Sequence, residues 1–431
     1  MPIAPARTAA FDILLRVENE DAFASELLHS ERLSTLSPQD RNLSTEIVMG
    51  VLRWQSVLDA QLAQCASKPV ARLDAEVRVA LRIAAYQLRY LTRVPGSAAV
   101  NDSVDLVKRA RKRSAAPFVN AVLRKLMQTP PPEATARDAH PEWLVARWIA
   151  EYGNDAADCI CAYDQQVPQS ALRFEDGLAE AELIAQGVEL APGALLRSAR
   201  RVVGGDLTRT PAFREHRVAV QDEASQLVAA LVGHGENILD CCAAPGGKTA
   251  AIAQRNPAAR IVAVEVHPHR ARLLRERVKA SNVEVVTGDT RQLPFGAEFD
   301  RVLVDAPCSG TGTLARNPEI KWKLNPADLE DLHRRQVEIL CAALRYLSPG
   351  GRLVYSTCSL EREENELVID ETLRAVEGFR LIDCGEELQR LAHSGELAVN
   401  DVHTLLRQPY LRTIPGAQPC EGFFAAVLER Q

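Results

Sequence analysis

The sequence predicts a multidomain chain: an N-terminal all-α bundle, a small α+β connector and a C-terminal α/β domain on a doubly wound parallel sheet. Three observations predict it. Apolar residues recur at helical spacing through residues 1–128. A break at 129–139, Thr-Pro-Pro-Pro-Glu-Ala-Thr-Ala-Arg-Asp-Ala, has the composition of a linker. From about 216 onward, short apolar runs alternate with helical segments, the pattern of a parallel sheet. A length of 431 residues suits two or three domains, each able to bury its own core.

Each element follows from local signals. Ala10, Ile13, Leu14 and Val17 share one helical face. Ser37-Pro38-Gln39-Asp40 reads as a helix start, with a serine cap, proline at the first position and an acid in the first turn. Leu43, Ile47, Val51, Trp54 and Leu58 continue one apolar face from there. A further helix at 83–91 is stopped by Pro95-Gly96; Val100, Val104 and Val107 begin the next, and 118–126 closes the set. Short connections make these a compact bundle. In the connector, 140–215, residues 143–152 read as helix and 171–174 as strand. In the last segment, 216–431, a helix at 222–232 ends at Gly233 and Gly235. Strands are predicted at 237–240, 261–265, 283–286, 301–304 and 352–355, with a long helix at 326–347. Ligands of such sheets sit at the carboxyl ends of the strands.

Composition narrows the function classes. The chain is 46% hydrophobic and 25% charged, ordinary for a globular protein. No apolar run is long enough to span a bilayer, and Met1 to Arg16 lacks a signal layout, so a cytoplasmic protein without a membrane role is expected. Ten cysteines are too sparse for a disulfide framework, and nine scattered histidines show no zinc spacing, so no metal is expected. Net charge is −6, yet residues 1–130 hold 18 Lys/Arg against 13 Asp/Glu. Lys108, Arg109, Arg111, Lys112 and Arg113 form a basic run that is either a solvated helix end or a phosphate contact.

Three constellations carry chemistry. The first, Asp240-Cys241-Cys242-Ala243-Ala244-Pro245-Gly246-Gly247-Lys248-Thr249, joins a strand to a helix. Its glycines admit close backbone approach, and the helix N-terminus favours an anionic group. Neither the Walker nor the dinucleotide glycine spacing is present. Glu265 ends the next strand, where an acid commonly binds ribose hydroxyls, and Asp289 ends the one after, within reach of an adenine edge. Singly, such acids are usually turn or cap residues. Together they describe a site for an adenosine-bearing cofactor without a pyrophosphate. The second constellation is Asp305-Ala306-Pro307-Cys308-Ser309-Gly310-Thr311-Gly312; the third is Tyr355-Ser356-Thr357-Cys358-Ser359-Leu360. Each sets a cysteine just past a buried strand. A lone cysteine near a sheet is usually an inert small hydrophobe, but two at ligand-facing strand ends argue for chemistry. Cys358 also stands before an expected helix, whose dipole would favour a thiolate.

These motifs, in this order, resemble those of the RNA cytosine-5 methyltransferases of the Nop2/Sun (Fmu/Sun) family. The resemblance extends to Gln221-Asp222-Glu223-Ala224-Ser225, to Arg316-Asn317-Pro318-Glu319 with Trp322, and to Gly422-Phe423-Phe424, where the preceding acid is Glu421 instead of the family's Asp. Residues 1–128 separately resemble the NusB RNA-binding fold, notably at Val100-Asn101-Asp102-Ser103-Val104 and Phe118-Val119-Asn120-Ala121-Val122-Leu123-Arg124. The pairing is similar to the bacterial small-subunit (16S) rRNA cytosine-C5 methyltransferases.

The resemblance implies a Rossmann-like domain using S-adenosyl-L-methionine, held by Cys242, Ala243, Ala244, Pro245, Gly246, Gly247, Lys248, Glu265, Asp289 and Asp305. It implies Cys358 as the nucleophile on C6 of cytosine, Cys308 as an aid to product release, and Asp305 as the partner of a protonated N3. Spacing leaves open whether Lys248 faces cofactor or substrate. Cys241, at a variable position of the motif, reads as packing. DNA cytosine methyltransferases use the cysteine of a Pro-Cys motif, which makes Cys308 the rival nucleophile. The expected partner is small-subunit rRNA, met by a monomer, with the target base out of its stack. Rival readings are the same chemistry on tRNA or large-subunit rRNA, a non-catalytic NusB-like RNA-binding factor, and a nicotinamide oxidoreductase, which the missing dinucleotide glycines disfavour.

Overall fold

The computed structural model describes residues 3–431 apart from 21, 31, 32, 34, 132 and 297, so Met1, Pro2 and the linker's Pro132 lie outside the described residues. The chain divides into two compact units, 1–167 with 314–323, and 168–313 with 324–431. These units cut across the expected segments. The connector's first two helices, Glu142–Tyr152 and Asn154–Asp164, belong to the first, the rest of it with its strands to the second, and ten residues after the second cysteine motif belong to the first.

The first unit is helical. Helix Ala75–Tyr90 buries ten of its sixteen residues, which makes it the centre of the bundle. Helices Pro5–Asn19, Pro38–Arg53, Gln55–Cys65, Gly96–Arg109 and Ala116–Gln128 share its core, where Phe11, Ile47, Leu58, Leu81 and Leu123 are buried. The predicted start at Ser37 is formed: its hydroxyl accepts from Asp40 N at 3.1 Å, with Pro38 in the first turn. The single face expected from Leu43 to Leu58 is split between two helices. Trp54 is the joint, with φ −104° and ψ 15°, and its ring stacks on Tyr90 at 5.1 Å. Helices Glu142–Tyr152 and Asn154–Asp164 follow.

The segment 314–323 is fixed to this unit by polar contacts of high sequence separation. Lys321 Nζ donates to Arg53 O at 3.0 Å and Ala139 O at 2.6 Å, closing two helix ends. Trp322 Nε1 donates to Leu52 O at 2.6 Å, and Ala24 N donates to Glu319 Oε1 at 2.8 Å.

The second unit holds two sheets. Strands β1 (Ala171–Phe174), β2 (Glu189–Pro192), β3 (Arg200–Gly204) and β4 (Val218–Val220) form a small antiparallel sheet in the order β2-β3-β1-β4. The larger sheet contains β5 (Asn237–Asp240), β6 (Arg260–Glu265), β7 (Val283–Thr287), β8 (Phe299–Asp305) and β9 (Leu347–Thr357). These five are parallel in the order β9-β8-β5-β6-β7. The expected doubly wound parallel sheet is present, and an antiparallel edge extends it. Strand β13 (Phe424–Arg430) pairs antiparallel with β9, and β10 (Phe379–Ile382), β11 (Leu406–Arg407) and β12 (Tyr410–Arg412) extend that edge. Strands β11 and β12 are joined by a two-residue turn, which only an antiparallel pair allows.

The chain runs β5, β6, β7 to one side, then returns to place β8 on the other side of β5. The crevice of such a sheet opens where the direction of winding reverses, beyond the carboxyl ends of β5 and β8. Asp240, Glu265, Asp305 and Thr357 are the last residues of β5, β6, β8 and β9. Among the described residues, no helix is long and apolar enough to cross a membrane, and no group of three or more His, Cys, Asp or Glu could hold a metal ion.

Candidate active site

The loop after β5 is anchored by its backbone: Cys241 N donates to Leu303 O and Ala243 N to Val264 O, both at 2.9 Å. Gly246 has φ +108°, and a Cβ there would meet Leu274 and Val278 below 3.0 Å, so only glycine fits the turn into helix Gly247–Arg255. Cys241 is buried in the core, as the packing reading expected, and burial raises its thiol pKa. Burial likewise raises Cys242.

Acidic groups line the strand ends. Asp240 Oδ2 accepts from Thr249 Oγ1 at 2.7 Å, while Oδ1 is buried without a hydrogen-bond partner. Burial, with the charge of Asp305 adding, pushes the Asp240 pKa up to about 7. Glu265, 4% exposed, accepts from His267 N at 2.8 Å. Asp289 stands apart in its pairing: Arg291 engages both its oxygens, at 2.7–3.1 Å, and lowers its pKa.

Asp305 joins the cofactor loop to the third motif. Its Oδ2 accepts from Lys248 Nζ and its Oδ1 from Ser356 Oγ, each at 2.8 Å. Lys248 Nζ also lies 4.8 Å from the centroid of Phe423. Burial works against the Lys248 charge, but Asp305, with Cys358 and Asp240 behind it, raises its pKa overall.

The two sequence-predicted cysteines meet: Cys308 Sγ and Cys358 Sγ are 3.4 Å apart, both half-buried. The Cys308 thiol pKa is well raised, first by its hydrogen bond to Cys358 and then by burial. The expected helix dipole at Cys358 is corrected by the structure. A short 3-10 helix, Arg362–Glu364, follows instead, and the α-helix begins only at Glu366.

What holds the sulfurs together was not among the sequence-predicted residues. Glu364, buried, accepts from Ser309 N at 2.8 Å and Gln336 Nε2 at 3.0 Å on Oε1, and from the Ser309 and Ser359 hydroxyls on Oε2. Burial raises its pKa against the pull of those donors. Each serine directly follows a cysteine, so one carboxylate clamps both cysteine loops. Asn365 adds to the frame, taking Thr357 Oγ1 at 2.5 Å and donating to Ser359 O at 2.9 Å. Gly312 N donates to Cys358 O at 2.9 Å, and a Cβ on Gly312 would sit 2.2 Å from Gly422 O. The only sequence signal for the clamp was the repeated Cys-Ser pair.

Strand-end acids, a glycine-turned loop without a pyrophosphate cradle, and a cysteine pair beside them define an S-adenosylmethionine-dependent methyltransferase. The family description "16S rRNA methyltransferase RsmB/F" matches residues 229–429, and "NusB family" matches 4–128. A probable ribosomal RNA small subunit methyltransferase B from Bacillus subtilis is 35% identical over 99% of this chain and 98% of its own length. The ribosomal RNA small subunit methyltransferase B of Vibrio cholerae is 32% identical over 100% and 98%. Among solved structures, PH0851 superposes over 99% of both chains with a TM-score of 0.80 at 24% identity, a likeness of fold. The chain belongs to the 16S rRNA methyltransferase RsmB/F family.

Proposed function

We propose that the chain methylates C5 of one cytosine in small-subunit rRNA through a covalent bond between Cys358 Sγ and C6. The observation that carries this reading is the 3.4 Å approach of Cys308 and Cys358 beside the Lys248–Asp305 pair.

The donor set fits the cofactor. S-adenosylmethionine is cationic at its sulfonium and amino groups, and Asp240 has a buried oxygen without a partner. Glu265 suits the ribose, the loop from Cys242 to Lys248 the chain of the amino acid, and the N-terminus of helix Gly247–Arg255 its carboxylate. Asp289 would meet the adenine while shared with Arg291. When bound, the cofactor supplies an electrophilic methyl group.

The chain's own residues make C5 able to accept it. The Cys358 thiolate adds at C6, breaks the ring conjugation and pushes electron density onto C5, while Asp305 serves a protonated N3. The C5 proton then passes to solvent, its electron pair re-forms the C5–C6 double bond, and the C6–S bond breaks to release Cys358 as thiolate, with Cys308 within hydrogen-bond reach of that sulfur. The helical unit would grip flanking RNA. Arg111, Arg113 and Arg124 are exposed there, and among the described residues they have no ion-pair partner, which suits phosphate contact and salt-sensitive affinity.

The test is methyl transfer from labelled S-adenosylmethionine to unmethylated small-subunit rRNA, mapped by bisulfite sequencing. One protected cytosine is expected, lost in Cys358→Ala, with an RNA–protein adduct accumulating in Cys308→Ala. An adduct with Cys358→Ala and none with Cys308→Ala would reverse the roles. Transfer to tRNA alone would sink the substrate, and transfer to no RNA would leave a binding factor.

A further inference from the structure

The two glycines of the loop after β5 are not alike. Gly246 is demanded by its φ of +108° and by its neighbours. Gly247 is not. It is the first residue of helix Gly247–Arg255, outside the left-handed region, and the three atoms nearest a Cβ there would all belong to Gln221, none closer than 3.5 Å. Alanine would fit, and it is the better helix former. Glycine therefore keeps open a space about one atom wide between the helix start and the Gln221 amide.

Gln221 is built to face that space. Its backbone is held on both sides, with N donating to Ala171 O and O accepting from Gln226 Nε2, each at 2.9 Å. The side chain is 8% exposed. Arg173 Nε donates to its Oε1 at 3.0 Å, and because a guanidinium can only donate, this fixes which end of the amide is oxygen. Arg173 is itself buried and locked, by Gln254 Oε1 at 2.9 Å and Glu175 Oε1 at 2.6 Å. Nε2 is thus the end turned to Gly247, 3.5 Å from where a Cβ would stand. One of its two hydrogens goes to Ser225 Oγ at 3.2 Å; the second has no acceptor among the described residues.

The space selects an anion. The first N–H groups of a helix have no partner within it, and its N-terminus carries the positive end of the dipole. The amide adds a buried donor. Of the groups on S-adenosylmethionine, only the α-carboxylate is anionic. We infer that Gln221 is a further cofactor-binding residue: its Nε2 donates to that carboxylate in the space Gly247 leaves open, and Arg173 positions it. The inference rests on the cofactor placement above and gives a role to the first residue of Gln221-Asp222-Glu223-Ala224-Ser225.

Calorimetric titration of the full chain without RNA, at about pH 8, tests it by comparing S-adenosylhomocysteine with its decarboxylated analogue. The analogue keeps the adenosine, the sulfur and the amine and lacks only the carboxylate. Gln221→Glu keeps an acceptor for Arg173 and sets a negative charge against the ligand's own. It should weaken S-adenosylhomocysteine about tenfold or more and leave the analogue within about twofold. Gly247→Ala closes the space from the other side. Its urea midpoint should hold or rise, because the new contacts are of ordinary length, yet it should show the same selective loss. Undiminished binding of S-adenosylhomocysteine in either variant, or equal losses for the two ligands, would overturn the inference and leave the cofactor site standing. No binding of S-adenosylhomocysteine to wild type would overturn both. Neither ligand can donate a methyl group, so the outcome is independent of the methylation reading.

Discussion

Glu364 offers a sharp test of how the sulfurs are held. Its four donors divide evenly: Ser309 N and Gln336 Nε2 on Oε1, the two seryl hydroxyls on Oε2. In Glu364→Gln the amide oxygen can take the first pair and the NH2 group the second, because hydroxyls rotate to accept. The loss is then the charge on those contacts, about 1 kcal/mol for each hydroxyl bond and about 2 in all. Glu364→Ala removes the acceptor of a part-buried Ser309 N–H and opens a cavity, about 3–5 kcal/mol. Urea unfolding measures both, and steady-state methyl transfer at saturating S-adenosylmethionine measures function. The Gln variant should stay folded, yet lose about tenfold or more in kcat, because misaligned groups lose rate steeply. Its KM for S-adenosylmethionine should hold within about twofold, since Glu364 binds the cysteine loops and no hydrogen bond joins it to the cofactor acids. Wild-type kcat in the Gln variant, or a change confined to KM, would refute the clamp.

Two further perturbations follow from the same geometry. The Asp240 pKa lies near 7 in the folded chain, above its unfolded value, so the protonated folded form is favoured and stability is lost as pH rises from about 4 through 7, by about 4 kcal/mol at most. Asp240→Asn should remove that component of the pH dependence of urea midpoints; an unchanged difference between pH 5 and pH 8 would refute it. The cationic cofactor should conversely bind wild type more tightly above pH 7 than below, and calorimetry on Asp240→Asn should show that dependence gone. Gly312→Ala places a Cβ 2.2 Å from Gly422 O, backbone against backbone, and should cost about 2 kcal/mol or more in unfolding free energy. A neutral Ala variant would mean the two loops separate freely.

The sequence showed what local pattern can encode. Strands β5, β6, β7 and β8 were legible because each carries a short apolar run with a turn after it. The candidate site stood out because its residues are unusual types at strand ends, where a doubly wound sheet puts its ligand. Glu364 was not, since it sits among Glu361, Glu363 and Glu366, and only tertiary packing decides which acid turns inward to the serines. The anchoring of 314–323 was equally hidden: Lys321 and Trp322 find backbone carbonyls 268 and 270 residues earlier. Part of the antiparallel edge escaped because β11 and β12 have two and three residues, too few for a period to register.

The sulfur pair also bears on which cysteine attacks. Two thiols at 3.4 Å share one hydrogen bond, so one sulfur donates and the other accepts. The Cys308 pKa is raised by Cys358 and by burial, and Glu364 and Asp305 add their negative charges to the penalty for a thiolate there. On the other side of the pair stands Lys248, whose pKa is raised by Asp305 and, to a lesser extent, by negative charge at Cys358. Lys248 in turn is fixed by Asp305, the last residue of β8, so the strand end beside the sulfur pair also holds that charge in place. Attack by Cys308 would require the proton to sit on Cys358 and the anion to face two carboxylates.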